Sequence, residues 1–374
     1  MKLDHFLRED AELGIVIDGS RVTQSSDRPV QQLKYYSVTN ETEAAMESNL
    51  RWARTGQGHP RFQFVYLMLP TPCNQKCIGC FMGQDKGRLP AGLTGPFFSD
   101  TELDEIVNFA QTHGAQAIVY GGGGELFAWS GAMNLVEKVS NKGLPMVIFT
   151  NGTLLEQSQI VRLYELRSAL IVSLRDTVES VHNTIVGCKG FRSTLQTIDT
   201  CLSLGMQDDN RLAIEIPVTL DNEQRVLNDL LPVLRSLGIV PWIEEFIQTS
   251  TSDAEKRLCH DFVQARKFFE RASARDEELG IQWTPEYGQR MIGQPQCRRP
   301  LYSFAVFPSG DVMDCPSHFA NYGNLHRQSL HDIIYSQQFR EALLGYKLCP
   351  CSVFYTASSD TIPTGLPDYL EEMK

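Results

Sequence analysis

The sequence predicts an α/β protein whose parallel sheet curls into a full or partial barrel, and two observations carry that expectation. Apolar, strand-like runs at 62–69, 116–120, 145–150, 169–174, 211–219 and 239–247 alternate with helix-like segments at about 99–113, 130–142, 154–167, 190–204, 222–237 and 253–279. Six β-then-α units imply parallel pairing, and right-handed crossovers curl such a sheet with its ligand site at the C-terminal ends of the strands. The second observation is that the motifs able to carry chemistry fall at those ends.

Composition sets the outer bounds. With 374 residues and 42% hydrophobic content, the chain can bury a sizeable core as one large α/β domain with an appendage. Its first ten residues lack a long apolar core, and no stretch approaches about 18 uncharged apolar residues, so neither a signal peptide nor a membrane span is expected. The expected compartment is the cytoplasm. There, ten cysteines in an enzyme-sized chain read as metal ligation rather than a disulfide framework. A net charge of −11 argues against nucleic-acid binding through a broad basic surface.

Taken in order, residues 1–60 form an N-terminal extension with a hairpin signal around Gly14 to Val22 and a helical stretch near Glu41 to Thr55, without a legible role. The first strand-like run feeds Thr71-Pro-Cys-Asn-Gln-Lys-Cys-Ile-Gly-Cys-Phe81, a CxxxCxxC loop. Three thiolates within eight residues, Cys73, Cys77 and Cys80, can hold three corners of a [4Fe–4S] cube and leave the fourth iron open to a small molecule. A structural zinc site usually closes with four ligands, and no fourth Cys or His follows nearby; three unrelated thiols are the other alternative. The polar loop from Met82 to Gly95 either lines a substrate mouth or is simply mobile.

After the second strand comes Tyr120-Gly-Gly-Gly-Gly-Glu-Leu126, where glycines let the backbone approach a ligand or form only a flexible turn. Thr150-Asn-Gly-Thr153 and Ser173-Leu-Arg175 end the third and fourth strands with hydroxyl, amide and guanidinium groups suited to sugar hydroxyls and a carboxylate, although Asn151-Gly152 is also a plain turn signal. Near the C-terminus, Cys297 is followed by a hairpin from Ser303 to Cys315, with Pro-Ser-Gly-Asp at its turn, and by Cys349-Pro-Cys351. Four thiolates can fully ligate a second cluster or a zinc ion.

These motifs, in this order, resemble the radical S-adenosylmethionine superfamily. The resemblance implies a partial (β/α)6 TIM-like barrel over residues 61–285, with a C-terminal β-hairpin/helix auxiliary-cluster module over 286–374. It implies that the open iron beside Cys73, Cys77 and Cys80 chelates S-adenosylmethionine, that Gly123, Gly124 and Glu125 hold its amino group, and that Asn151, Ser173 and Arg175 contact ribose and carboxylate. Ile214 or Thr219 would lie near the adenine. Gly79 stands where many members carry an aromatic or other large hydrophobic residue, which leaves Phe81 as the expected adenine cover; Leu126 replaces the usual proline. Cys297, Gly310, Cys315, Gly323-Asn324 and the helix-like Leu330 to Leu344 reproduce the auxiliary modules called SPASM and twitch. With no CxxCxxxxxC run, the pattern favours the shorter twitch form with one second [4Fe–4S] cluster on Cys297, Cys315, Cys349 and Cys351.

The same resemblance implies an enzyme that cleaves S-adenosylmethionine reductively and needs a low-potential donor such as flavodoxin or ferredoxin. Glu244, Glu245 and Gln248 are the candidate bases, with Arg175 and Arg298 as anchors, although surface salt bridging explains each equally. Cys188 is placed to quench a substrate radical or is a packed small hydrophobe; Cys201 and Cys259 are incidental. The four-cysteine pattern also resembles 2-deoxy-scyllo-inosamine dehydrogenases, so the first expectation is oxidation or rearrangement of a small polar metabolite. The rivals are modification of a ribosomally made peptide, whose enzymes often add an N-terminal leader-binding domain, and a non-catalytic electron-transfer role.

Overall fold

The computed structural model describes residues 2–23, 32–37, 40–80, 97–246, 257–260, 262–281, 298–316 and 320–346. Phe81, Gln248, Cys297, Cys349 and Cys351 lie outside these residues, as does the loop from Met82 to Gly95; Glu245 is described by its backbone alone.

Six parallel strands follow the predicted runs: β3 (Phe64–Leu67), β4 (Ala117–Tyr120), β5 (Met146–Thr150), β6 (Ala169–Ser173), β7 (Leu212–Val218) and β8 (Val240–Glu245). Nearly every residue in them is buried, which is why they read as continuous apolar runs rather than alternating ones. The connecting helices are α2 (Asp100–Thr112), α3 (Ala132–Asn141), α4 (Gln157–Glu165), α5 (Glu179–Val186) and α6 (Phe191–Ser203). The helix after β7 is broken: α7 (Glu223–Arg225) passes through a π turn at Val226–Leu230 into α8 (Leu231–Leu237). Helix α9 (Phe262–Glu278) follows β8. Local chemistry fixes the ends, as where Ser99 and Glu102 cap each other's backbone in a reciprocal box at the start of α2. Helix α5 was not expected as a separate element; its eight residues sit in the connection after β6.

Two features of the extension were not legible. Its hairpin pairs β1 (Leu7–Asp10) with β2 (Gly14–Ile17), so the turn precedes Gly14 instead of lying within Gly14 to Val22. Helix α1 (Asn40–Thr55) occupies the predicted stretch. Between them, Lys34 donates its backbone N–H to the carbonyl of Asn210 just before β7, which places the 32–37 segment across the strand starts. Tyr36 then enters the barrel. Its ring stacks on Trp242 of β8 at 5.2 Å and 18°, and meets Phe149 of β5 and Phe64 and Tyr66 of β3 edge-on. One ring touching the first, third and sixth barrel strands shows that the sheet curls around it.

Among the described residues the barrel does not close. There the sheet has nine strands in the order β11-β10-β9-β3-β4-β5-β6-β7-β8, where β9 (Ser303–Val306), β10 (Asp311–Met313) and β11 (Asn321–Asn324) come from the C-terminal region. Strand β9 lies parallel to β3, matching Phe64 with Ser303 and Leu67 with Val306, and β10 returns antiparallel around the Pro308-Ser309-Gly310 turn. The C-terminal hairpin thus extends the barrel sheet at the strand that leads into the cysteine loop. The predicted helix from Leu330 onward is two helices, α10 (Leu330–Ile334) and α11 (Gln337–Gly345), because Ser336 caps a new start through a bond from the Phe339 N–H.

Candidate active site

The site grows from the C-terminal ends of the six barrel strands. Beyond β3, the cysteine loop is pinned from several sides: Lys76 and Ile78 donate backbone N–H groups to Val186 and Ile185 at the end of α5, and Glu125 donates its own to Pro72. Asn74 completes the clamp, giving a bond to Thr153 at 2.7 Å and accepting one from the Asn151 amide at 2.9 Å. Gly123 has φ +109, and a Cβ there would lie 1.7 Å from the Leu69 carbonyl oxygen; at Gly124 it would lie 2.2 Å from that of Thr71. These glycines are therefore required for backbone-to-backbone packing of the β4 turn beneath the cysteine loop.

Cys73, Cys77 and Cys80 are half-buried free thiols. Burial pushes the Cys73 thiol up to about 11, with Cys77, Glu125 and Cys80 adding to the shift. Burial also raises Cys77, opposed by the nearby Arg175 guanidinium and reinforced by Cys80 and Glu215. Among the described residues, no three His, Cys, Asp or Glu side chains converge as ligands of one ion do. Three thiols on one loop match the number of protein ligands that leaves one iron of a [4Fe–4S] cluster open, whereas a structural zinc ion takes four.

The carboxylate of Glu125 is buried and accepts bonds from Thr150 Oγ1 at 2.8 Å, the Asn151 N–H at 2.7 Å and the Phe127 N–H at 3.3 Å. Burial raises its pKa despite these donors. Asn151 commits its side chain to the clamp, accepting from the Thr153 N–H and hydroxyl as well as donating to Asn74. Thr219 is buried and exchanges turn-forming bonds with Asn222. The ring of Phe246, just past β8, packs on the cysteine loop: a Cβ on Gly79, at φ +69, would sit 2.1 Å from it.

Arg175 reaches toward the cysteine loop from the end of β6. Its Nη1 donates to Glu215 Oε1 at 3.2 Å, its backbone N–H to His182 Nδ1 at 3.2 Å, and its carbonyl accepts from Asn222 Nδ2 at 3.4 Å. Burial holds His182 down to about 4, so it is a neutral acceptor. Glu215 and His182 escaped sequence reasoning, the first because it lies inside the apolar run of β7. Alternation after an inward Trp242 would have flagged Glu215, which pairs with it across the sheet.

The remaining candidates divide. Cys188 lies beside the loop base, where a Cβ on Gly190 would be 3.0 Å from Gln75 Nε2 and 3.6 Å from Cys188 Sγ. Glu244 follows Trp242 on the inward face and accepts its indole N–H at 2.7 Å. Arg298 pairs with Glu43 of α1 at 3.1 Å, and its position precedes β9 at the strand starts. Cys315 is buried two residues past β10, at the level of the strand starts, so it leaves the sheet at the opposite end from the Cys73 loop.

The iron–sulfur cluster-binding domain called SPASM matches residues 297–353, a span that contains Cys297, Cys315, Cys349 and Cys351. The chain is 23% identical over 282 residues to the antilisterial bacteriocin subtilosin biosynthesis protein AlbA of Bacillus subtilis, covering 71% of this chain and 57% of AlbA. It is 27% identical over 126 residues to the tungsten-containing aldehyde ferredoxin oxidoreductase cofactor-modifying protein of Pyrococcus furiosus, a third of each chain. The chain thus spans less than two thirds of either relative. Among solved structures, Streptococcus suis SuiB bound to precursor peptide SuiA superposes with a TM-score of 0.58 at 13% identity, covering 83% of this chain and 75% of SuiB. For anSMEcpe with bound AdoMet and a peptide, the TM-score is 0.53 at 17% identity, with 74% and 82% covered.

Proposed function

We propose, from the premise that this chain is a radical S-adenosylmethionine protein with a C-terminal SPASM domain, that it is an enzyme modifying a ribosomally made peptide. The observation that carries the catalytic part is the three-thiol loop at the end of β3, seated on a glycine turn that admits no side chain. When bound there, a [4Fe–4S] cluster and S-adenosylmethionine supply a 5′-deoxyadenosyl radical on receipt of an electron from a low-potential donor such as flavodoxin or ferredoxin.

The chain's own residues shape the rest. Cys73, Cys77 and Cys80 are the proposed ligands of the first cluster, and Cys297, Cys315, Cys349 and Cys351 those of a second. The Gly123-Gly124-Glu125 turn presents backbone groups to the cosubstrate, Ser173 stands at the end of β6, two strands along the sheet from β4, and Phe246 supplies the aromatic surface over Gly79. Thr219 and Asn151 act by holding their turns. Tyr36 closes the opposite end, so a substrate enters at the cysteine-loop side. Glu244 is the proposed base at the mouth.

Similarity to AlbA, whose work is bacteriocin biosynthesis, and the shared fold with SuiB bound to its precursor peptide support a peptide substrate over the small metabolite that the cysteine spacing alone favoured. Among the described residues, no helix is long and apolar enough to cross a membrane. A cytoplasmic setting, which keeps clusters reduced, belongs to the same proposal.

The test is anaerobic incubation of the reconstituted protein with S-adenosylmethionine, reductant and a precursor peptide encoded beside it. The proposal expects 5′-deoxyadenosine together with a peptide that has lost the mass of two hydrogens or inverted a residue. An unaltered peptide, with an oxidised small metabolite accumulating in its place, would return the assignment to metabolite chemistry.

A further inference from the structure

Among the described residues, Glu215 is the carboxylate at the barrel mouth whose hydrogen bonding is visibly unfinished. It sits on β7 beside Ser173 of β6 and Trp242 of β8 in register, and Trp242 faces inward because it stacks on Tyr36. The residue is 6% exposed. Its Oε1 takes a bond from Arg175 Nη1, while its enclosed Oε2 has no partner among the described residues. An Arg–carboxylate pair of free choice closes both oxygens with two parallel bonds. Here the Arg175 backbone is fixed at both its N–H and its carbonyl, and its guanidinium serves only one of the two oxygens. Leaving a buried acceptor unmade is costly enough that such an atom normally has a partner.

We propose that Glu215 is a ligand-binding residue whose Oε2 accepts a hydrogen bond from an O–H or N–H donor on a molecule seated in the mouth beside Cys77. This rests on the radical S-adenosylmethionine reading and deepens it. The donor has two sources with the same chemistry: a sugar hydroxyl of the cosubstrate, or a hydroxyl, amide or ammonium of the substrate.

The test combines calorimetric binding of S-adenosylmethionine and its 2′-deoxy and 3′-deoxy analogues to reconstituted wild type, Glu215→Gln and Glu215→Ala with a crystal structure of the wild type bound to S-adenosylmethionine. If one deoxy analogue binds the wild type about ten-fold more weakly and that difference vanishes in both variants, the donor is a sugar hydroxyl. If cosubstrate affinity is unchanged in the variants and Oε2 borders the space left open beside the cosubstrate, the donor is the substrate's. A structure in which Oε2 is closed by the second guanidinium nitrogen of Arg175, or by any other protein donor, overturns the proposal. A wild type that loads iron and binds the cosubstrate but shows that closure sinks only this inference; one that binds neither sinks the parent reading.

Discussion

The floor of the barrel is closed by a cluster of aromatic rings around Tyr36, whereas its mouth carries three free thiols and a carboxylate oxygen without a partner among the described residues. At the floor, Tyr36 stacks on Trp242, lies edge-on to Phe64, Tyr66 and Phe149, and shares a 2.7 Å hydroxyl bond with Tyr66. At the mouth, three free thiols share a loop, burial raises Cys73 and Cys77, and Glu215 Oε2 has no partner among the described residues. The difference separates the two demands on one sheet. Apolar surface and hydroxyls pair internally at the floor, while the mouth holds the groups proposed to bind a cluster and a ligand.

Mutating the floor should disturb that contrast most strongly. Tyr36→Ala removes a fully enclosed aromatic contacting three strands, and is expected to cost about 3–5 kcal/mol of unfolding free energy, read by denaturant titration of the metal-free protein. Tyr36→Phe loses only the hydroxyl pair and leaves Tyr66 with an unmade bond, so about 1–2 kcal/mol is expected. Were Tyr36→Ala as stable as the wild type, the plug would be ornamental and the extension a separate body.

A smaller effect should appear at the mouth as a pH dependence. Folding raises the Cys73 pKa from an ordinary value near 9 to about 11, so the folded metal-free protein holds that proton more tightly than the unfolded chain. The resulting stability is fully present below about pH 9 and fades as pH rises through about 11. Cys73→Ser should flatten this decline in thermal midpoint, while a floor variant should leave its shape unchanged. An equal slope in Cys73→Ser would remove Cys73 as its source.

Much of this was legible in the sequence because it rests on local signals. The six parallel strands read as apolar runs, and the cysteine loop and glycine turn are compact motifs at strand ends. The features that stayed hidden depend on distant partners. Tyr36 reads as an ordinary residue until Trp242 is placed beneath it, and Phe246 takes up the space at Gly79 from a strand end far along the chain. Strand β9 carries no sequence sign that it will pair with β3, since a hairpin pattern specifies its own turn but not the edge it joins.

The central claim is that the mouth thiols hold a cluster that cleaves S-adenosylmethionine while the C-terminal thiols hold another. The most direct measurement is iron and sulfide content after anaerobic reconstitution, paired with chromatography for 5′-deoxyadenosine under dithionite. Two four-iron clusters predict about eight irons per chain, falling to about four with loss of 5′-deoxyadenosine when Cys73, Cys77 and Cys80 are all replaced by Ala. A replaced protein that keeps its full iron and still forms 5′-deoxyadenosine would contradict the account.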